Sequence, residues 1–187
     1  MKEALNILLL QQQIAYNRDE LAYKKIFYHF YPRLFKFCNQ LIQNAESSEE
    51  LTADMILKLW LMGNKLADIE NINIYLFRAI KNSALTYLTK NKPSTTPITT
   101  VEETLGGGYD SESPTMLSEA SMLLEKSVAS LPTQCQTVFR LIREEGFSYK
   151  EVTQIVGISQ NTIETHMRIA LKRIRLSLDT YLELKKK

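Results

Sequence analysis

Apolar residues recur every three or four positions along most of this chain, but the period stops near residue 91 and resumes only after residue 114. That spacing marks one face of an amphipathic helix, and such a face is stable only when buried against another element. The interruption therefore predicts two helical blocks that fold apart from each other. Residues 91–114 hold three of the five prolines, five threonines and the run Gly106-Gly107-Gly108, the composition of a flexible linker. The triple glycine has no strand before it and no Gly-Lys-Ser/Thr after it, so it does not read as a phosphate cradle. No convincing strand is present. The expected fold class is all-α, with an N-terminal domain over 1–92, a linker over 93–114 and a C-terminal domain over 115–187.

Net charge is only +2, yet it is unevenly spread. Residues 1–92 carry 12 basic and 9 acidic side chains, residues 93–125 carry none and 6, and residues 126–187 carry 11 and 6. Two mildly basic blocks around an acidic middle point towards nucleic acid, and equally suit solvated faces and an acidic linker. Cys38 and Cys135 do not make a disulfide framework and read as small buried hydrophobes. The run Ile7-Leu8-Leu9-Leu10 is too short to span a membrane. Gln11-Gln12-Gln13 follows it where a signal peptide would have small residues, so a cytoplasmic location is expected.

In the first block, Tyr23, Ile26, Phe27, Phe30, Leu34, Phe37, Cys38, Leu41 and Ile42 form one stripe interrupted by Pro32. Proline lacks an N–H and crowds the preceding turn, which predicts two helices, about 19–30 and 32–44. Ser47 with Glu50 is a capping-box pattern opening a third helix, to about Met62, and Gly63-Asn64 ends it. Ile74, Phe77, Ile80, Ala84, Leu85 and Leu88 describe a fourth, near 72–90. The second block opens with a helix over about 115–130. Thr133 with Gln136 suggests a second box, for a helix that stops at Gly146, and Ser148 with Glu151 a third, for a short helix to Val156. Gly157 stops that helix, and Ser159 caps a long last one carrying Ile163, Met167, Ala170, Leu171, Ile174 and Leu178 inward.

Nothing in the sequence argues for catalysis. His29 and His166 fall in different blocks, and neither has Cys, Asp or Glu at metal-ligand spacing. No nucleophile elbow or Walker loop occurs, and the pairs Glu49-Glu50 and Glu144-Glu145 sit at helix ends as solvated charge. No enzyme, cofactor, metal or small-molecule substrate is expected. The most informative stretch is 147–175, a capped short helix, a glycine turn and a longer helix, which is the helix-turn-helix plan. Val152, Ile155, Ile158 and Ile163 would fill its core, leaving Asn161, Glu164, Thr165, Arg168 and Lys172 outward. An amide, a hydroxyl, a carboxylate and a guanidinium on one face can read base edges in a major groove. Ser159, Gln160 and Thr162, at the helix start, can reach phosphates or bases.

Leu131-Pro132 and the segments 146–152, 157–167 and 170–175 resemble the fourth conserved region of sigma-70 family factors, in particular the extracytoplasmic-function (ECF) group of RNA polymerase sigma factors. In the first block, 27–34 resembles the opening of the family's second region, 50–60 its polymerase-binding segment and 75–88 the part that engages the promoter. The resemblance implies a non-catalytic promoter-specificity subunit whose partners are core RNA polymerase and promoter DNA. Polymerase binding would fall to Glu50, Asp54, Lys58 and Trp60, with core packing as the alternative role of the Trp60 ring. Contacts to the −10 element would fall to Arg78, Lys81, Asn82, Thr86, Tyr87 and Lys90, and loop 63–71 would form the pocket the family uses for a flipped base. The helix starting at Ser159 would read the −35 element. The acidic linker would thread the path of the nascent RNA, and a membrane-anchored anti-sigma factor would be a further partner. Two other readings fit the same residues: a stand-alone helix-turn-helix regulator, which would bind duplex DNA by itself, and a protein-interaction module, which would show no salt-dependent DNA affinity.

Overall fold

A computed structural model describes residues 6–91 and 116–184, and the expected linker lies outside the described residues. Among the described residues the structure is helical, without strands. It divides into two compact units, α1 to α4 in the first and α5 to α8 in the second. The first unit comprises α1 (Ile7–Asn17), α2 (Glu20–Ile42), α3 (Ala45–Leu61), a 3-10 turn (Gly63–Asp68) and α4 (Ile72–Lys90). The second comprises α5 (Met116–Ala129), α6 (Thr133–Arg143), α7 (Tyr149–Val156) and α8 (Gln160–Leu184). No helix among the described residues is long and apolar enough to cross a membrane.

The first unit is built around α2, which packs against α1, α3 and α4. Its stripe Ile26, Phe30, Leu34, Phe37 and Cys38 is buried, meeting Ile56 and Leu59 of α3 and Leu76, Phe77 and Ile80 of α4 in the same core. Burial pushes the Cys38 thiol up to about 11, so it is un-ionised and behaves as a small apolar group. One helix runs where two were expected, with Pro32 inside it. Proline at this place removes the amide that would bond the carbonyl of Tyr28. Pro32 and Tyr28 are both exposed, so the interruption falls on the solvent side of the helix while the buried stripe runs on beneath it. Two further boundaries correct the sequence reading. Asn44, not Ser47, caps α3, its side chain accepting from the Ser47 amide at 2.9 Å. Leu85 of α4 is exposed rather than inward. The helix α1 was not anticipated; it buries Leu10, Gln11, Ile14 and Ala15 against α2 and the 3-10 turn.

In the second unit, α8 packs on α5, α6 and α7. Val128, Leu131, Cys135, Phe139, Met167, Ala170 and Ile174 form one cluster. Arg140 is buried and joins α5 to α6, donating to Glu125 at 3.0 Å and Glu144 at 2.6 Å. The expected box at Thr133 does not form. Pro132 occupies the cap without a side-chain bond, and the Gln136 amide donates instead to the Val128 carbonyl, closing the end of α5. Leu171, expected inward, is 44% exposed.

Two substitutions test these backbone assignments with opposite signs. Pro32→Ala restores an amide in mid-helix and should raise the stability of the first unit by about 1–3 kcal/mol in urea denaturation. Gly157→Ala forces a side chain into a left-handed position, φ 82°, and should lower the second by about 1 kcal/mol.

Candidate nucleic-acid interface

The turn between α7 and α8 is fixed by three local devices. Ser148 and Glu151 form a reciprocal capping box, the Ser148 hydroxyl accepting from the Glu151 amide and the Glu151 carboxylate from the Ser148 amide at 2.8 Å. Gly157 ends α7 in the left-handed conformation, which only glycine adopts without strain. The Ser159 hydroxyl accepts from the Thr162 amide at 3.2 Å and so starts α8. Val152, Ile155, Ile163, Met167 and Ala170 close the core beneath, while Ile158 stays half-buried at the turn instead of joining them.

Because Ile163, Met167, Ala170 and Ile174 are buried, the helical period turns Asn161, Glu164, Thr165, Arg168 and Lys172 to solvent. Ser159, Gln160 and Thr162 are exposed at the helix start, so all eight sequence-predicted residues of α8 share one accessible surface. Gln160 donates to the Glu164 carboxylate at 3.0 Å, which holds both side chains over the first turn. Arg173 and Arg175 are also exposed, so the basic character of α8 extends beyond Arg168 and Lys172.

In the first unit, Arg78, Asn82, Thr86 and Lys90 are exposed and lie at successive four-residue steps of α4. Asn82, Thr86, Tyr87 and Lys90 line a cleft of about 410 Å³ with Ser47, Glu50 and Leu51 of α3 and Ser83. The Ser47 hydroxyl donates to the Tyr87 phenol at 3.0 Å, which leaves the phenol its own proton for another acceptor. Lys81 is half-buried beside this row, and burial, with the neighbouring Arg78 charge, holds its ammonium below the usual lysine range.

Glu50, Asp54 and Lys58 form an exposed row on α3. Trp60 does not join them: its ring meets Tyr23 at 5.2 Å and carries the Arg18 guanidinium 4.3 Å above it. Two residues that sequence reasoning missed continue the row instead, Leu57 at 48% and Leu61 at 68% exposed. Residues 55–61 are apolar except Lys58, so their pattern did not separate inward from outward positions. A second cleft, of about 550 Å³, opens where α3 meets the 3-10 turn and α4, lined by Lys58, Leu61, Met62, Lys65 and Tyr75. Only Lys65 among these lies in the expected loop 63–71. Among the described residues no three His, Cys, Asp or Glu side chains gather in a metal-binding group.

Comparison with known proteins converges on one family. Residues 26–93 match the model described as "Sigma-70 region 2" and residues 121–174 the one described as "Sigma-70, region 4". The ECF RNA polymerase sigma factor RpoE of Cereibacter sphaeroides is 24% identical over 172 residues, covering 89% of this chain and 91% of that protein. The fold is shared with the sigma factor RpoE of Bartonella quintana in complex with the anti-sigma factor NepR, at a TM-score of 0.61 and 20% identity over 83% of this chain and 96% of that one. It is shared equally with CnrH in complex with the cytosolic domain of CnrY, at a TM-score of 0.61 and 15% identity over 92% and 97%. Both matched regions occur in order and together span well over half of the chain, which therefore belongs to the sigma-70 family and is similar to a relative of its ECF group.

Proposed function

We propose a division of labour between the two units of this alternative sigma factor, which directs RNA polymerase to promoters. The domains of the functional protein are residues 1–92, which bind core polymerase and the −10 element, and 115–187, which bind the −35 element, with 93–114 as an acidic connection. Reading of the −35 element belongs to Ser159, Gln160, Asn161, Thr162, Glu164, Thr165, Arg168 and Lys172. The observation that carries this assignment is their common exposure on α8, above a turn fixed by the Ser148–Glu151 box and Gly157. Arg168 and Lys172 supply cations for phosphates or guanine edges, and Asn161 supplies an amide for adenine.

At the −10 element the cleft between α3 and α4 holds the opened strand. Tyr87 offers a ring for stacking, Asn82 and Thr86 read exposed base edges, and Arg78, Lys81 and Lys90 hold the backbone. The cleft of Lys58, Leu61, Met62, Lys65 and Tyr75 takes a base flipped from the stack, on an apolar floor with two ammonium groups at its rim. Core polymerase docks on the α3 row of Glu50, Asp54 and Lys58, with Leu57 and Leu61 supplying apolar area; Trp60 acts behind this row as a packing residue. The protein works in the cytoplasm, contributes no catalytic group and is restrained by an anti-sigma factor anchored in the membrane. Support for such a partner comes from the two solved structures of the same fold, each in complex with one partner protein.

Run-off transcription with core polymerase separates these roles. Arg168→Ala should lower output from promoters carrying the preferred −35 sequence and relax preference there by about 1–3 kcal/mol, leaving −10 preference intact. Equal losses on every promoter would make Arg168 a phosphate contact instead. Asn82→Ala should leave core binding unchanged and weaken permanganate reactivity of the −10 region; normal reactivity would remove Asn82 from strand opening.

A further inference from the structure

The helix α1 precedes the stretch matched as region 2 and none of its residues has a role in the reading above. Its polar groups nevertheless converge on one target. Gln11 is 2% exposed, and its side-chain nitrogen donates to two backbone carbonyls, those of Leu66 and Ile69, each at 2.7 Å. A primary amide has two N–H groups, so one bond to each carbonyl uses both. These carbonyls bracket the end of the 3-10 turn, whose last backbone bond runs from the Ile69 amide to the same Leu66 carbonyl at 3.3 Å. At the C-terminal end of α1, Arg18 adopts a left-handed backbone, φ 52°, and its guanidinium both stacks on the Trp60 ring and donates to the Trp60 carbonyl. That carbonyl belongs to the last turn of α3, immediately before the 3-10 turn. The middle of one helix and its C-terminal cap thus hold the chain on either side of Met62 and Lys65, which line the cleft at the α3 end.

We propose that α1 is a positioning element for promoter opening, with Gln11 and Arg18 setting the shape of the cleft lined by Lys58, Leu61, Met62, Lys65 and Tyr75, and through it the choice of base at one −10 position. This rests on the reading of that cleft as the site of a flipped base. The physical reason is reach and scarcity. A 3-10 turn makes poorer hydrogen bonds than an α-helix and keeps few of its own. Here the two carbonyls at its end are satisfied from outside by a single buried side chain. Removing both donors takes the Gln11 bond from the Ile69 carbonyl and leaves the Leu66 carbonyl only the long bond from the Ile69 amide, and the turn relaxes away from the geometry that forms the cleft wall. Gln11 touches neither DNA nor polymerase; it acts through the backbone of residues 66–69.

The test uses the full chain with saturating core polymerase, so that core affinity drops out, on a promoter set permuted singly at each −10 and −35 position. Gln11→Met keeps the length and apolar bulk of the side chain and removes its donors. It should flatten base preference at one or two −10 positions by about five-fold, the equivalent of one lost hydrogen bond. Preference at every −35 position should be unchanged. A uniform fall in transcription with the preference profile intact, or no change at all, would overturn the proposal, because a merely structural role predicts the first and no role the second. Arg18→Ala, at an exposed position, carries the same expectation and decides the matter if Gln11→Met does not fold. Lys65→Ala and Tyr75→Leu are measured in parallel. If they shift −10 preference while Gln11→Met and Arg18→Ala do not, only the role of α1 fails; if they too leave it unchanged, the cleft reading fails and the role of α1 falls with it.

Discussion

Burying one stripe of each amphipathic helix settles which residues of this protein face solvent, and so which surfaces are open to a partner. In α8 the inaccessible positions Ile163, Met167, Ala170 and Ile174 are spaced by four, three and four. With 3.6 residues per turn, that choice leaves Asn161, Glu164, Thr165, Arg168 and Lys172 on the far side, with no further instruction needed. The same constraint in α4 buries Leu76, Phe77, Ile80 and Ala84, and thereby lines up Arg78, Asn82, Thr86 and Lys90. Each fully buried aliphatic or aromatic side chain contributes about 1.5–3 kcal/mol before entropy is counted, so turning either helix over would cost far more than any single polar contact could return. The reading faces are in this sense a consequence of the cores.

The short devices at helix ends supply what burial alone does not, namely the angle between elements. The capping box at Ser148 and the left-handed Gly157 fix where α7 starts and stops, and Ser159 begins α8 two residues later. In the first unit the corresponding work is done by asparagines. Asn6, Asn44 and Asn71 each cap a helix through the side-chain oxygen. Buried polar groups appear where elements must be held in register: Arg140 between Glu125 and Glu144, and Gln11 on the 3-10 turn. Each is a single buried side chain that bonds two partners at once, Gln11 reaching carbonyls 55 and 58 residues away and Arg140 tying α5 to the end of α6.

Much of this was legible from the amino-acid order because helical period and end signals are local. The stripe positions of α2 and α8, the Ser148 box and the Gly157 stop all follow from neighbours within four residues. What escaped depends on the surroundings. Pro32 reads as a break, yet the helix passes through it, with Pro32 on the exposed side opposite the buried stripe. Ser47 and Gln136 have the residue types of a capping box, but Asn44 lies one turn earlier and the Val128 carbonyl offers Gln136 a tertiary partner. Leu171, Leu57 and Leu61 are apolar and exposed, and nothing in their spacing marks them off from core positions. The resemblance puts Trp60 with Glu50, Asp54 and Lys58 and leaves core packing as the other role of its ring; in the structure the ring packs on Tyr23 and under Arg18. The role of Gln11 is set by carbonyls 55 and 58 residues away, a distance over which no local pattern carries information.

In the proposed reading each unit offers one small, mildly basic surface, and promoter affinity comes from presenting both on core polymerase, which raises the effective concentration of the second contact once the first is made. The most direct test is the binding of this protein to promoter DNA with and without core RNA polymerase, at fixed salt. Sequence-specific binding that appears only with core is the result predicted. Tight, specific binding by the protein alone, as a dimer on a palindromic site, would contradict the account and make the helix-turn-helix that of an independent regulator.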